Sequence, residues 1–173
     1  MLKTVTNNEL QTSFLTLLNK HRGILYRLAR SFSLDAEEQA DMVQEMTLQL
    51  WHAFPQFQGK SMFSTWMYRV GINTMMTYHR KKKREQGGLS TWLHLSDRVA
   101  QPQEANDSIA YLYKALNDLS TMERALMFQY LEGLSGRDIA LNLGISEGAV
   151  RVKINRTKNK LKTILLSYGY EYE

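Results

Sequence analysis

The sequence contains no cysteine. That excludes disulfides, thiolate zinc sites and cysteine nucleophiles, and it suits a reducing compartment such as the cytoplasm. Proline is almost missing as well: only Pro55 and Pro102 occur, so long stretches can stay helical. No apolar run approaches the roughly 20 residues that a membrane span needs. The start, MLKTVTNNEL, lacks the charged-then-apolar layout of a signal peptide. A cytoplasmic protein with no direct membrane insertion is expected. His21, His52, His79 and His94 are scattered without ligand spacing, so neither a metal nor another cofactor is expected. There is no Gly-x-Ser-x-Gly elbow, P-loop or His-Glu-x-x-His motif, and the reading is therefore not an enzyme.

What is present is apolar substance and unevenly placed charge. The 173 residues are 43% hydrophobic, enough for a packed core, and carry a net charge of +5. Arg80, Lys81, Lys82, Lys83 and Arg84 are consecutive. Arg151, Lys153, Arg156, Lys158, Lys160 and Lys162 form a second basic segment without an acid among them. Acids gather elsewhere, notably from Asp35 to Glu45. A single basic run is most often a solvated helix face. Two such runs, each ending a patterned helical segment, point instead to a polyanion partner.

Apolar residues recur at helical spacing almost throughout. One helix is expected from about Asn8 to Ser31, and a second from an N-cap at Asp35 to just before Pro55. A third is expected from Ser61 or Ser64 to about Lys83, after a loop at Gln56 to Lys60. These three can bury a shared core. Residues 87–107 hold Gly87, Gly88 and Pro102 and read as a linker. Trp92, Leu93 and Leu95 in it either dock on something or cover a domain edge. Shorter helices then follow: Ser108 to Leu119, Ser120 to Leu131, one capped by Ser135, and one opening at Ser146. Ser120 with Glu123 has the spacing of a capping box. The fold expected is all-α, with two small helical domains, residues 1–86 and 108–173, joined by a flexible linker.

The segment GLSGRDIALNLGISEGAVRVKINRTKNKLK reads as a helix-turn-helix. Ala140 lets two helices approach, Gly144 supplies the permissive turn, and Ile145 plugs the angle between them. Val150, Ile154, Thr157 and Leu161 should pack inward. Arg151, Val152, Asn155 and Arg156 should face outward, where arginine suits guanine edges, asparagine suits adenine and an aliphatic methyl suits thymine. Ser146 at the cap and Lys158 complete the expected upstream DNA contact. The bland alternative is a helical hairpin with a basic surface.

With these residues in view, the chain resembles a small bacterial sigma factor of the extracytoplasmic-function type. DAEEQADMVQEMTLQLWHAFPQF resembles the region-two helix that grips RNA polymerase. GKSMFSTWMYRVGINTMMTYHRKKKRE resembles the segment that melts and reads the minus-ten element. ALNDLSTMERALMFQYLEGLSGRDIALNLGISEGAVRVKINRTKNKLK resembles region four, which reads the minus-thirty-five element. The resemblance implies that Asp35, Asp41, Gln44, Glu45, Gln49 and Trp51 meet polymerase, at the clamp helices of its largest subunit, with further contact at its flap region. It implies that Lys60, Ser61, Arg69, Asn73 and the run Arg80, Lys81, Lys82, Lys83, Arg84 take the melted downstream strand, where phosphates need cations and flipped bases need pockets. Phe63 and Trp66 read better as core. It also implies promoter DNA and an anti-sigma factor as partners. Val152 departs from the family, which often has a small polar residue there. The expected function is transcription initiation. The alternative is a stand-alone helix-turn-helix repressor or activator, which would bind a palindrome as a dimer and need no polymerase-binding face.

Overall fold

The computed structural model describes residues 7–85 and 107–170. They form α1 (Asn7–His21), α2 (Gly23–Phe32), α3 (Ala36–Ala53), a single 3₁₀ turn (Phe54–Gln56), α4 (Phe63–Glu85), α5 (Asp107–Asn117), α6 (Thr121–Leu131), α7 (Gly136–Leu143) and α8 (Glu147–Ser167). No strand occurs among the described residues. Trp92, Leu93, Leu95 and His94 lie outside them.

Local chemistry sets most of these boundaries. Asp35 caps α3, its carboxylate accepting from the Glu38 amide at 2.8 Å. Ser120 caps α6 in a reciprocal box: its amide donates to Glu123 at 2.9 Å, and its hydroxyl accepts from the Glu123 amide. Ser135 and Ser146 cap α7 and α8 from one side only, their hydroxyls accepting from the Asp138 and Ala149 amides. Gly144 ends α7 at φ +66°, a left-handed conformation in which a side chain would be strained. One expectation needs correcting. The single first helix is two, parted at Arg22, with Gly23 opening the second. Glycine inside a helix costs about 1 kcal/mol, which weakens the helix at this point.

α2, α3 and α4 pack around Leu28, Met42, Met46, Leu50, Met67, Ile72 and Met75, all with no exposed surface. Gly71 allows the close approach: a methyl there would lie 2.8 Å from Leu28 Cδ2 and 3.4 Å from Met46 Sδ. Phe54, Phe57, Phe63 and Trp66 form an aromatic cluster with ring centroids 5.0–6.3 Å apart, which fixes the loop before α4. In the second half, α7 and α8 hold Leu126, Ile139, Ala140 and Val150 between them and α6. Gln129, fully buried, accepts from Asn142 Nδ2 at 2.8 Å and donates to the Ala125 carbonyl. Tyr168 and Tyr170, in a tail that carries no readable motif, pack on α5.

The halves do not stand apart. Ala125 and Phe128 of α6 belong to the same apolar core as α2 and α4. Arg124, 8% exposed, crosses the junction. Its guanidinium donates to the Leu116, Asn117 and Leu119 carbonyls at the end of α5 and, at 2.9 Å, to the Phe32 carbonyl that ends α2. Two helix C-termini, each the negative end of a dipole, thus share one cation. Burial lowers the pKa of Arg124 to about 10. Glu132 lies just past α6. It receives a bidentate pair from Arg27 at 2.6 and 2.7 Å and the Tyr68 hydroxyl at 2.5 Å. Burial opposes ionisation of this carboxyl, but its hydrogen bonds from Arg27 and Tyr68 outweigh that and hold it below the ordinary carboxylate value. Arg30 stacks over Tyr113, and Asn117 donates to the Arg30 carbonyl.

Candidate nucleic-acid interface

α8 divides as its spacing predicts. Val150, Thr157 and Leu161 are buried, and Ile154 is half-buried. Arg151, Val152, Asn155 and Arg156 are exposed along the other side. Val152 is an apolar residue left 49% exposed on this face. Ala140 and the half-buried Ile145 pack in the apolar cluster between α7 and α8, which leaves the polar face of α8 turned outward. Ser146 is the N-cap, its hydroxyl accepting from the Ala149 amide at 3.2 Å; its side chain is already engaged. Lys158 is drawn sideways: its ammonium sits 4.3 Å over the Tyr130 ring and donates to the Tyr130 hydroxyl at 2.6 Å. Lys160 pairs with Glu123 at 2.8 Å.

The first half offers a groove of about 690 Å³ between α3 and α4. Glu45, Gln49 and Ala53 line one wall at successive turns, and Asn73, Thr77 and Lys81 face them at the same spacing. Residues expected to serve polymerase and residues expected to serve melted DNA therefore share one cleft. Glu45 accepts from Gln49 Nε2 at 2.9 Å, which orients both. Thr77 and Tyr78 were not singled out from the sequence, although the stripe Asn73, Thr77, Lys81 is visible in it at i, i+4, i+8. Burial, followed by the nearby Glu38 and Asp41 carboxylates, raises the Tyr78 hydroxyl pKa.

The remaining expected residues scatter around this cleft. Lys60, Ser61, Arg69, Arg80, Lys83 and Arg84 are exposed. Lys81 lies 3.9 Å from Glu85, and Lys82 is paired with Glu38, which also accepts from Ser33. Asp41 is exposed, whereas Asp35 is committed to its cap. Gln44 and Trp51 lie on the other flank of α3, in a shallower apolar groove with Phe14, Leu15 and Leu48. Phe63 is buried and Trp66 half-buried, as core residues. No cluster of histidine or acidic side chains among the described residues could hold a metal ion.

Comparison with known proteins gives this geometry a family. Sigma-70 region 2 matches residues 17–85, and Sigma-70 region 4 matches residues 109–161. The sigma factor NccH of Alcaligenes xylosoxydans xylosoxydans is 28% identical, over 91% of this chain and 89% of its own length. SigM of Mycobacterium tuberculosis, an extracytoplasmic-function sigma factor, is 29% identical, over 88% of this chain and 77% of its own. Among solved structures, CnrH in complex with the cytosolic domain of CnrY superposes with a TM-score of 0.65 at 26% identity, covering 91% of this chain and 90% of that one. The two matched regions run in sequence order and take in both the α3–α4 cleft and the exposed face of α8. The chain belongs to the sigma-70 family of RNA polymerase sigma factors, in its extracytoplasmic-function branch.

Proposed function

We propose that this chain is a transcription initiation factor that binds core RNA polymerase through α3 and carries it to promoters with two separate readers. Arg151, Val152, Asn155 and Arg156 read the upstream element in the major groove. Asn73, with the cations of the α4 end, holds the melted downstream strand in and beside the α3–α4 cleft. One observation carries the reading: an outward-facing recognition helix and a polar cleft edged with cations occur in the same chain. A stand-alone repressor has use for the first and none for the second. Residues 1–86 and 108–173 are assigned as the two promoter-facing domains. The chain performs no covalent step in this scheme; polymerase does.

Two solved relatives are complexes, of CnrH with CnrY and of RpoE from Bartonella quintana with the anti-sigma factor NepR. By analogy an anti-sigma factor is proposed as a further partner of this chain. None of the described helices is long and apolar enough to cross a membrane, in keeping with action on polymerase in the cytoplasm.

Run-off transcription with core polymerase on a promoter library tests the whole scheme. Specific transcripts are expected only when the chain is added. Replacing Asp41 and Glu45 together by lysine is expected to lower polymerase affinity while leaving binding to an upstream-element duplex intact. Tight binding to a palindrome with no effect on polymerase would sink the proposal.

A further inference from the structure

Sulfur chemistry in this chain rests on methionine alone, since cysteine is absent. Nine methionines occur, and Met1 lies outside the described residues. Of the others, Met42, Met46, Met67 and Met75 have no exposed surface, and Met127 is 1% exposed. Met76 and Met122 are half-buried. Met62 stands apart at 73% exposed. Oxidants reach a thioether according to its exposure. One sulfur among the described residues is therefore offered to them, and the fold shields the rest.

Met62 also stands where a change of polarity matters. Residues 58–62, on the loop before α4, are all exposed, with Lys60 and Ser61 among them. The backbone there is fixed. The Met62 carbonyl accepts from the Trp66 amide at 3.1 Å, the first helical bond of α4, and the next residue, Phe63, is buried in the aromatic cluster. Met62, Arg69, Asn73 and Arg80 follow one another at intervals of 7, 4 and 7 residues. At 3.6 residues per turn these intervals keep all four within about 40° of one line along the helix, and all four are exposed. Met62 thus heads the stripe assigned to the melted strand. An unbranched, polarizable thioether suits contact with an aromatic ring, and a melted strand offers the faces of its bases.

We propose that Met62 is a reversible oxidation site in the downstream reader, where a peroxide converts the thioether to the sulfoxide and loosens the hold on the melted strand. The peroxide is the only co-reactant. Its O–O bond breaks, the sulfur gives up two electrons and gains one oxygen, and the second oxygen leaves as water. The sulfoxide oxygen accepts hydrogen bonds and donates none. Against a base face it loses its water without a new partner, and beside phosphate it meets oxygens of the same polarity. Reductases, one for each sulfoxide epimer, reverse the change. The place of oxidation stands on exposure within the fold; its effect on DNA rests on the initiation-factor reading.

Peptide mass mapping of the folded full-length chain, after brief exposure to dilute hydrogen peroxide, is expected to find added oxygen on Met62 before any other described methionine. The treated chain, freed of peroxide, is then loaded onto core polymerase. Binding is measured on a forked template, duplex at the upstream element and single-stranded through the downstream one. Oxidation is expected to weaken this binding about two- to tenfold, the size of one sulfur–ring contact, with binding to an upstream-element duplex unchanged. Treatment with both reductases should restore the parent affinity. Met62→Leu should hold its own untreated affinity through peroxide exposure, and Met62→Gln should weaken fork binding with no peroxide at all. The proposal is overturned if a buried methionine takes up oxygen as fast as Met62, or if peroxide weakens Met62→Leu as much as the parent. A fork bound equally well before and after oxidation of Met62 removes the proposal alone. If the untreated chain with core polymerase ignores the fork, the downstream reading falls and the proposal with it.

Discussion

At the scale of single residues, exposure and engagement decide which side chains can meet DNA. Arg151 and Arg156 are exposed on α8. A bidentate arginine–guanine contact is worth about 1–3 kcal/mol of discrimination. Arg156→Ala is expected to weaken binding to the upstream duplex by that order, and Arg151→Ala to shift base preference, both measurable by titrating a duplex library. A different residue governs stability. His79 lies against the Phe32 ring near Arg124, and its Nε2 is buried without a hydrogen-bond partner. Burial, then the Arg124 charge, lowers its pKa to about 4. The unfolded chain takes up that proton near the ordinary histidine value, the folded chain only near 4, so stability falls as the pH drops through this interval. The loss is about 2–3 kcal/mol. Urea unfolding at several pH values should show it, and His79→Phe should flatten the profile between pH values of about 6.5 and 4.5, above the carboxylate range. From the sequence, His79 reads as a surface or satisfied core histidine. Its unmet nitrogen depends on the approach of α6 to α4, which no local pattern encodes.

At the scale of elements, the backbone punctuation was legible because caps and turns are short-range chemistry. Gly144 is the strongest case. Its φ of +66° would cost a side-chain-bearing residue about 1–2 kcal/mol, more if β-branched. Gly144→Val is expected to lower the melting temperature and to weaken upstream-duplex binding, since α7 and α8 would lose their fixed angle. Near-normal binding at full occupancy would argue that the turn is not what presents α8. The capping serines, the inward stripe on α8 and the start of α3 could all be read in advance for the same reason. The break at Arg22 was missed because the apolar pattern runs straight through it, although Gly23 marks the place. Asp35 shows the limit of such reading. Its cap was expected and is formed with the Glu38 amide, but a capping acid can also face a protein partner, and the local pattern does not separate the two roles.

At the scale of the molecule, long-range contact was the part the sequence concealed. Composition pointed to two bundles and a linker, and each bundle has its own periodicity. Nothing in either pattern says that Phe128 should enter the other's core, because an amphipathic helix reads the same whichever body covers it. Phe128→Ala is expected to cost about 3–5 kcal/mol. Because its neighbours include Tyr68 and the α4 core, the loss should appear in the unfolding transition reported by Trp51 and Trp66, which belong to the first half. A transition there that ignores Phe128→Ala would mean that the halves unfold independently.

The lysines held by neighbours change what the charge of the chain can do in solution. Lys81, Lys82, Lys158 and Lys160 each have a partner within the chain. DNA affinity depends on ionic strength because each neutralised phosphate sheds its condensed counterions, a slope of about 0.9 per phosphate on duplex and about 0.7 on single strand. A cation that keeps a carboxylate partner, as Lys81, Lys82 and Lys160 do, brings no net charge to a phosphate. The slope of log Kd against log salt should therefore be shallower than the two basic segments suggest, and shallower for the α8 face than its six cations imply. Such a factor would lose less of its grip on promoters as the surrounding salt rises.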